Sequence, residues 1–215
     1  MMDIKNSFKV LILLLSLQFP QLFVCAVLKK SIRNSDLIHY DYTKQQLDPS
    51  PRIIGGSEAI ARQYPWEVQL RDKRTGWLIC GGSLVSDTSI LTAGHCVYGK
   101  DVEDVMVTLL KKDHDIEDYH MYPDYRNYED WKNTSDLAIL RLKSTLDLAL
   151  SDMIPIGLPY QTIAKMNLAG ENVQLAGWGK TTTGSKAQPS KKLMMVNLEI
   201  ISNQDCKNEW PYLKE

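Results

Sequence analysis

An all-β fold follows from two features of the chain. Its apolar residues fall in short runs, some alternating with polar ones, and the runs are bounded by Gly, Asp, Asn, Lys or Thr. Residues 66–70, 77–85, 89–92, 105–110, 137–142, 173–177 and 194–200 are such runs, and their spacing is that of an all-β protein. One short helix is expected near the end: Ser202, with Asp205 three residues on, can cap a turn running to about Glu209.

The first segment reads as an address. Lys5 and Lys9 precede or enter an apolar run over residues 10–17, Pro20 breaks it, and Val24-Cys25-Ala26 offers small residues for a signal peptidase. Residues 1–26 are therefore expected to be a signal peptide, cleaved after Ala26, and the product secreted and extracellular. The run falls short of the roughly 20 apolar residues that span a bilayer, so no membrane association is expected after cleavage.

Residues 27–52 are polar, with Lys29, Lys30, Arg33 and Lys44, and end in Asp48-Pro49-Ser50-Pro51-Arg52. Two prolines keep that stretch extended and exposed, an easy target for proteolysis. The remainder, residues 53–215, suits one globular domain at 44% hydrophobic and 24% charged residues for the whole chain. A net charge of −1 gives no electrostatic case for nucleic acid.

The chemistry-bearing motifs stand in a fixed order. Ile53-Ile54-Gly55-Gly56 follows Arg52; Tyr64-Pro65-Trp66-Glu67-Val68-Gln69-Leu70 and Cys80-Gly81-Gly82-Ser83-Leu84 follow in turn. Then come Leu91-Thr92-Ala93-Gly94-His95-Cys96, Asp136-Leu137-Ala138-Ile139-Leu140 and Ala176-Gly177-Trp178-Gly179. A neutral imidazole can take a hydroxyl proton near pH 7 and return it to a leaving amine, and a carboxylate on its other nitrogen fixes the tautomer.

In these motifs and their order the chain resembles the trypsin-like, chymotrypsin-fold serine protease zymogens (the S1 family) from Arg52 to Glu215. The resemblance implies a double β-barrel, the first barrel complete by about Leu142 and the second partial, with strands only over residues 164–201. It implies His95 as general base and Asp136 as the residue that orients it. It also implies activation by cleavage between Arg52 and Ile53, so that residues 27–52 are a propeptide. The implied partners are protein or peptide substrates, an activating protease that cuts after Arg52, and serpin-type or other protease inhibitors. No cofactor is implied.

Two departures matter. The family's Gly-Asp-Ser-Gly-Gly segment does not occur before Glu215, and Ser185 and Ser190 lie in a polar loop of different pattern. The nucleophilic Ser is thus missing from this chain, which is expected to be inactive as it stands. The aspartate that pairs with a freed Ile53 ammonium is missing with it. Gly94 stands where alanine is usual and is expected to be tolerated because both residues are small.

The resemblance also implies a disulfide between Cys80 and Cys96, worth roughly 3 kcal/mol in the chain-entropy model. With Cys25 removed in the signal peptide, Cys206 is expected to be unpaired. No cysteine tethers the propeptide: none lies in residues 27–52, and Gly157 stands where some relatives carry one. Strands 173–177 and 194–200 are expected to leave Val173, Leu175, Met195 and Leu198 uncovered.

Three surface features complete the sequence. Asn133-Thr134-Ser135 is a glycosylation sequon beside Asp136. Tyr119, Tyr122, Tyr125, Tyr128 and Trp131 recur every three residues and read as single packed rings, with a cleft-rim role as the alternative. Asp113, His114, Asp115 and His120 lack regular ligand spacing and read as a charged turn, so no metal is expected. The functional alternatives are a secreted serine endopeptidase, a non-catalytic homologue that binds or regulates, and a short product that misfolds.

Overall fold

The computed structural model describes residues 56–60, 62–123, 125, 136–159, 166–181 and 188–209, and the backbone of 25–27. The strands are β1 (Cys25–Val27), β2 (Ser57–Glu58), β3 (Glu67–Asp72), β4 (Leu78–Leu84), β5 (Ser89–Thr92), β6 (Val105–Leu109), β7 (Lys112–Met121), β8 (Ala138–Leu142), β9 (Asn172–Gly177) and β10 (Met194–Ile201). One helix, α1 (Asn203–Glu209), follows β10. It is capped as the sequence suggests: the Asp205 amide donates to Ser202 Oγ at 3.0 Å, and the Ser202 hydroxyl donates to the Asp205 carboxylate at 2.6 Å. Apart from the backbone of 25–27, the expected leader and propeptide lie outside the described residues, as do Arg52, Ile53, Asn133 and Ser185.

Six strands close into an antiparallel barrel in the order β3-β4-β5-β8-β7-β6. Strand alternation puts one residue in two inside: Val68 and Leu70 from β3, Val105, Val107 and Leu109 from β6, and Ala138, Leu140 and Leu142 from β8 meet Ile90, Leu84 and Ile116 in one core. Strands β4 and β5 approach closely at Gly82, where a Cβ would lie 3.0 Å from both Ile90 Cγ2 and the Leu91 carbonyl. A side chain there would require both neighbours to give by a few tenths of an ångström.

The expected charged turn at Asp113, His114, Asp115 and His120 is instead part of β7, the longest strand. It was hidden for two reasons. Only Ile116 of its ten residues is buried, so there is no apolar run to read. The hairpin from β6 turns through Leu110 and Lys111, both left-handed at φ 45° and 69°, without the Asn-Gly or Asp-Gly that marks such turns. Ion pairs across the outer face hold the strand: Lys73 to Asp115 at 2.7 Å, and Arg141 to both Asp118 and Glu117. The Lys73 hydrogen bond is the largest influence holding the Asp115 carboxyl below its usual range.

The remaining strands form a four-stranded sheet centred on β10. It is paired with β9 along its length, with β2 at Met194 and Met195, and with β1 at its end, where Cys25 lies opposite Ile201. Its core corrects the expectation of uncovered residues: Val173 and Leu198 are buried with Ile156, Leu168, Val196 and Ile200. Ile156, Leu168, Trp66 and Val85 supply the cover, and the Ile156 amide donates to the Leu84 carbonyl. Leu175 and Met195 remain partly exposed.

The seam between barrel and sheet is built by residues just before β3. Trp66 packs against both cores, and its indole Nε1, though buried, meets no acceptor among the described residues. Tyr64 stacks edge-on against Trp66 and donates to Gln174 of β9, which donates in turn to Asn197 of β10. Glu67 keeps an intermediate share of its surface, yet protein crowds its carboxyl on nearly every side. This desolvation pushes its pKa up to about 8.

In the uncleaved chain Cys206 is disulfide-bonded. The expectation of an unpaired Cys206 concerned the chain after cleavage at Ala26, which no longer holds Cys25.

Candidate active site

The candidate site forms where β5 and β8 run side by side. Their antiparallel register pairs Thr92 with Ala138 and Leu91 with Ile139. The turn after β5 therefore lies beside the residue entering β8, although the two are 41 positions apart in sequence. That turn is the single 3-10 turn Gly94–Cys96, which lifts His95 out of the barrel wall while Gly94 and Cys96 stay buried. Thr92 fastens the end of β5 by donating its hydroxyl to the Gly81 carbonyl of β4 at 2.8 Å.

Asp136 grips His95 twice. One carboxylate oxygen accepts the backbone amide of His95 at 2.8 Å, and the other lies 2.7 Å from the ring Nδ1. Burial alone would raise the Asp136 carboxyl. The hydrogen bonds from the His95 ring and amide, the His95 charge and the Gly94 amide outweigh it, and the pKa falls below the ordinary carboxylate value. An ionised Asp136 on Nδ1 selects the tautomer that carries its proton on that atom, leaving Nε2 basic. Such a pair can accept a proton and hold the resulting imidazolium.

Cys80 and Cys96 form the disulfide the sequence suggests, with Cα atoms 6.0 Å apart, tying the His95 turn to β4. Both sulfurs lie against His95 Nε2, at 3.5 Å for Cys96 and 3.9 Å for Cys80. The three side chains are grouped as metal ligands would be, but the sulfurs are bonded to each other and offer no thiolate.

Sequence reasoning missed the support beneath the turn. Tyr125 is buried, packed against Tyr98, and its ring would sit 3.0 Å from a Cβ added at Gly94; the Leu137 carbonyl would sit 3.2 Å from it. Glycine at position 94 is therefore matched to this ring rather than merely tolerated. The unusual residue in the histidine motif was the one available signal. Of the other spaced aromatics, Tyr119 donates to the Lys100 carbonyl, Tyr122 is partly exposed, and Tyr128 and Trp131 lie outside the described residues. No helix among the described residues is long and apolar enough to cross a membrane.

Comparison with known proteins agrees with this geometry. The family model described as Trypsin matches residues 53–214. Tryptase of Mus musculus is 34% identical over 163 residues, covering 72% of this chain and 58% of the relative. Trypsin alpha of Drosophila melanogaster is 29% identical over 160 residues, covering 72% and 59%. The chain thus spans a little under three fifths of the length of these curated relatives. The solved structure of neuropsin, a serine protease expressed in the limbic system of mouse brain, superposes with a TM-score of 0.63 at 26% identity, covering 76% of this chain and 71% of that one. Together with the closed barrel and its partial second sheet, these matches show that the chain belongs to the trypsin family, the chymotrypsin-fold serine proteases.

Proposed function

We propose that this chain carries the general-base half of a secreted serine endopeptidase. The observation that supports it most directly is the double grip of Asp136 on His95. In this reading His95 Nε2 takes the proton of a serine hydroxyl as the oxygen attacks the scissile carbonyl. The imidazolium, held by Asp136, then protonates the leaving amine, and an acyl-enzyme remains for water to hydrolyse. The serine itself would come from sequence not found between Met1 and Glu215, because no Gly-Asp-Ser-Gly-Gly segment occurs there.

The same reading treats residues 1–26 as a signal peptide and 27–52 as a propeptide released by a protease cutting after Arg52. Protein substrates and protease inhibitors would be its partners. A non-catalytic binding homologue is the alternative reading.

The test is made on the protein as cells secrete it. A fluorophosphonate that labels activated serines, together with hydrolysis of a mixed peptide library, is expected to be positive after activation. Asp136→Asn is expected to lower turnover by about 10⁴, the usual size of this change in Ser-His-Asp proteases. Absence of labelling, with an intact mass matching a chain that ends at Glu215, would instead support the binding homologue.

A further inference from the structure

The two halves of the candidate dyad stand on different elements. His95 rides on the Gly94–Cys96 turn after β5, and Asp136 enters just before β8. Thr92 and the Cys80–Cys96 bond fasten that turn, but both fasten it to β4. We propose that Tyr125 is the positioning residue of the pair: its ring braces the His95 turn against the entrance to β8 and so keeps Nδ1 within reach of the Asp136 carboxylate.

Its contacts run to both halves. On the Asp136 side, the Tyr122 amide donates to the Leu137 carbonyl and the Tyr125 amide to the Tyr122 carbonyl, each at 2.9 Å. This turn fixes the backbone of Tyr125 to the residue that follows Asp136. On the His95 side, the ring lies so close to Gly94 that an added Cβ would meet Cδ2 at 3.0 Å and Cε2 at 3.1 Å. The ring also packs against Tyr98 with centroids 5.5 Å apart, and the Tyr98 amide donates to the Gly94 carbonyl at 2.9 Å. The brace therefore touches the chain on either side of His95.

Tyr125 is buried, and a ring removed from a close-packed site leaves a void that its neighbours fill only in part. One neighbour able to move into that void is the turn that carries His95. The dyad has little room for such movement. Nδ1 lies 2.7 Å from the carboxylate, and a shift of about 1 Å would carry it past the roughly 3.2 Å limit of a good hydrogen bond. The consequence for catalysis rests on the proposed function: a general base misplaced by about 1 Å loses on the order of 10² in rate. The effect on the pair itself is read without substrate.

The experiment compares the full chain with Tyr125→Leu, Tyr125→Phe and Val107→Ala by low-field proton NMR, with amide exchange reporting whether the barrel is folded. In Tyr125→Leu the proton between Nδ1 and Asp136 is expected to exchange with water about tenfold faster, broadening or erasing its resonance. Tyr125→Phe keeps the ring and is expected to retain the wild-type signal. Val107→Ala empties a fully buried site on β6, which pairs with neither β5 nor β8, and is expected to lower stability without altering the resonance. A wild-type resonance in folded Tyr125→Leu would overturn the proposal, as would an equal loss in all three variants. Where Tyr125→Leu does not fold, Gly94→Ala gives the reading, since its Cβ forces the turn and the ring apart; an unchanged resonance there would overturn the proposal. In the activated secreted protein, Tyr125→Leu is expected to lower kcat roughly 10–100-fold with KM little changed. Absence of fluorophosphonate labelling in the wild type would count against the proposed function alone, and the resonance would still decide the brace.

Discussion

The closed barrel and the four-stranded sheet around β10 are made of similar strands, yet they solve the edge problem differently. In the barrel every strand has two partners and Val68, Leu70, Leu84, Ile90, Val107 and Leu140 are fully buried. In the sheet β9 pairs only with β10 among the described strands, and its core residues Val173, Val196 and Leu198 keep 5–9% of their surface. Closure supplies the barrel with hydrogen bonds and burial that the sheet must take from neighbouring segments. The candidate dyad lies entirely on the closed side. The contacts described for His95 and Asp136 lie at the ends of β4, β5 and β8.

The contrast is sharpest in core truncations. Leu140→Ala empties a site with no exposed surface and is expected to cost about 2–5 kcal/mol in urea unfolding. Leu198→Ala removes the same atoms from the less enclosed core and is expected to cost less. Equal losses would mean the two regions unfold as one body with equally tight packing.

Glu67 probes the seam. The unfolded carboxyl ionises near 4.5, while the folded one holds its proton up to about 8. Between those values the folded state binds more protons than the unfolded state. Stability is therefore expected to be complete below pH 4.5 with respect to this group, to fall as pH rises toward 8, and to level off above. Glu67→Gln is expected to abolish that decline and stabilise the chain at pH 8 by up to about 4 kcal/mol. Parallel pH curves for the two proteins would show that Glu67 is not desolvated at the seam.

Within the barrel, Gly94→Ala is expected to destabilise by about 1–2 kcal/mol, because Tyr125 and the Leu137 carbonyl must give way. Tyr125→Leu added to Gly94→Ala is expected to recover part of the loss, and a purely additive double variant would break the proposed match between them. The smallest effect is at the β6–β7 turn. Replacing Leu110 by Asn and Lys111 by Gly relieves two left-handed residues and is expected to add about 1 kcal/mol, read as a higher melting temperature.

These elements also show what the chain makes legible. Strands β3 to β6, β8, β9 and β10 could be read because apolar residues concentrate on the face each strand buries. Strand β7 could not, since its charges are satisfied across strands and its turn uses ordinary residues in a glycine-like conformation. Two-residue β2 is too short to carry a pattern. His95, Asp136 and the Cys80–Cys96 bond were legible from local motifs. Tyr125 was not, because its contact with Gly94 exists only once the barrel brings distant segments together. Cys206 is disulfide-bonded in the uncleaved chain, whereas its expected unpaired state concerned the chain after loss of Cys25.

The central claim is that the end of the barrel holds His95 and Asp136 in a general-base arrangement. The most direct measurement is the low-field proton NMR spectrum of the full chain, with Asp136→Asn as control. A resonance from a proton held between His95 Nδ1 and Asp136, present in the wild type and absent in the variant, is the expected result. A wild-type spectrum without it, from a chain whose amide exchange shows the barrel folded, would contradict the account.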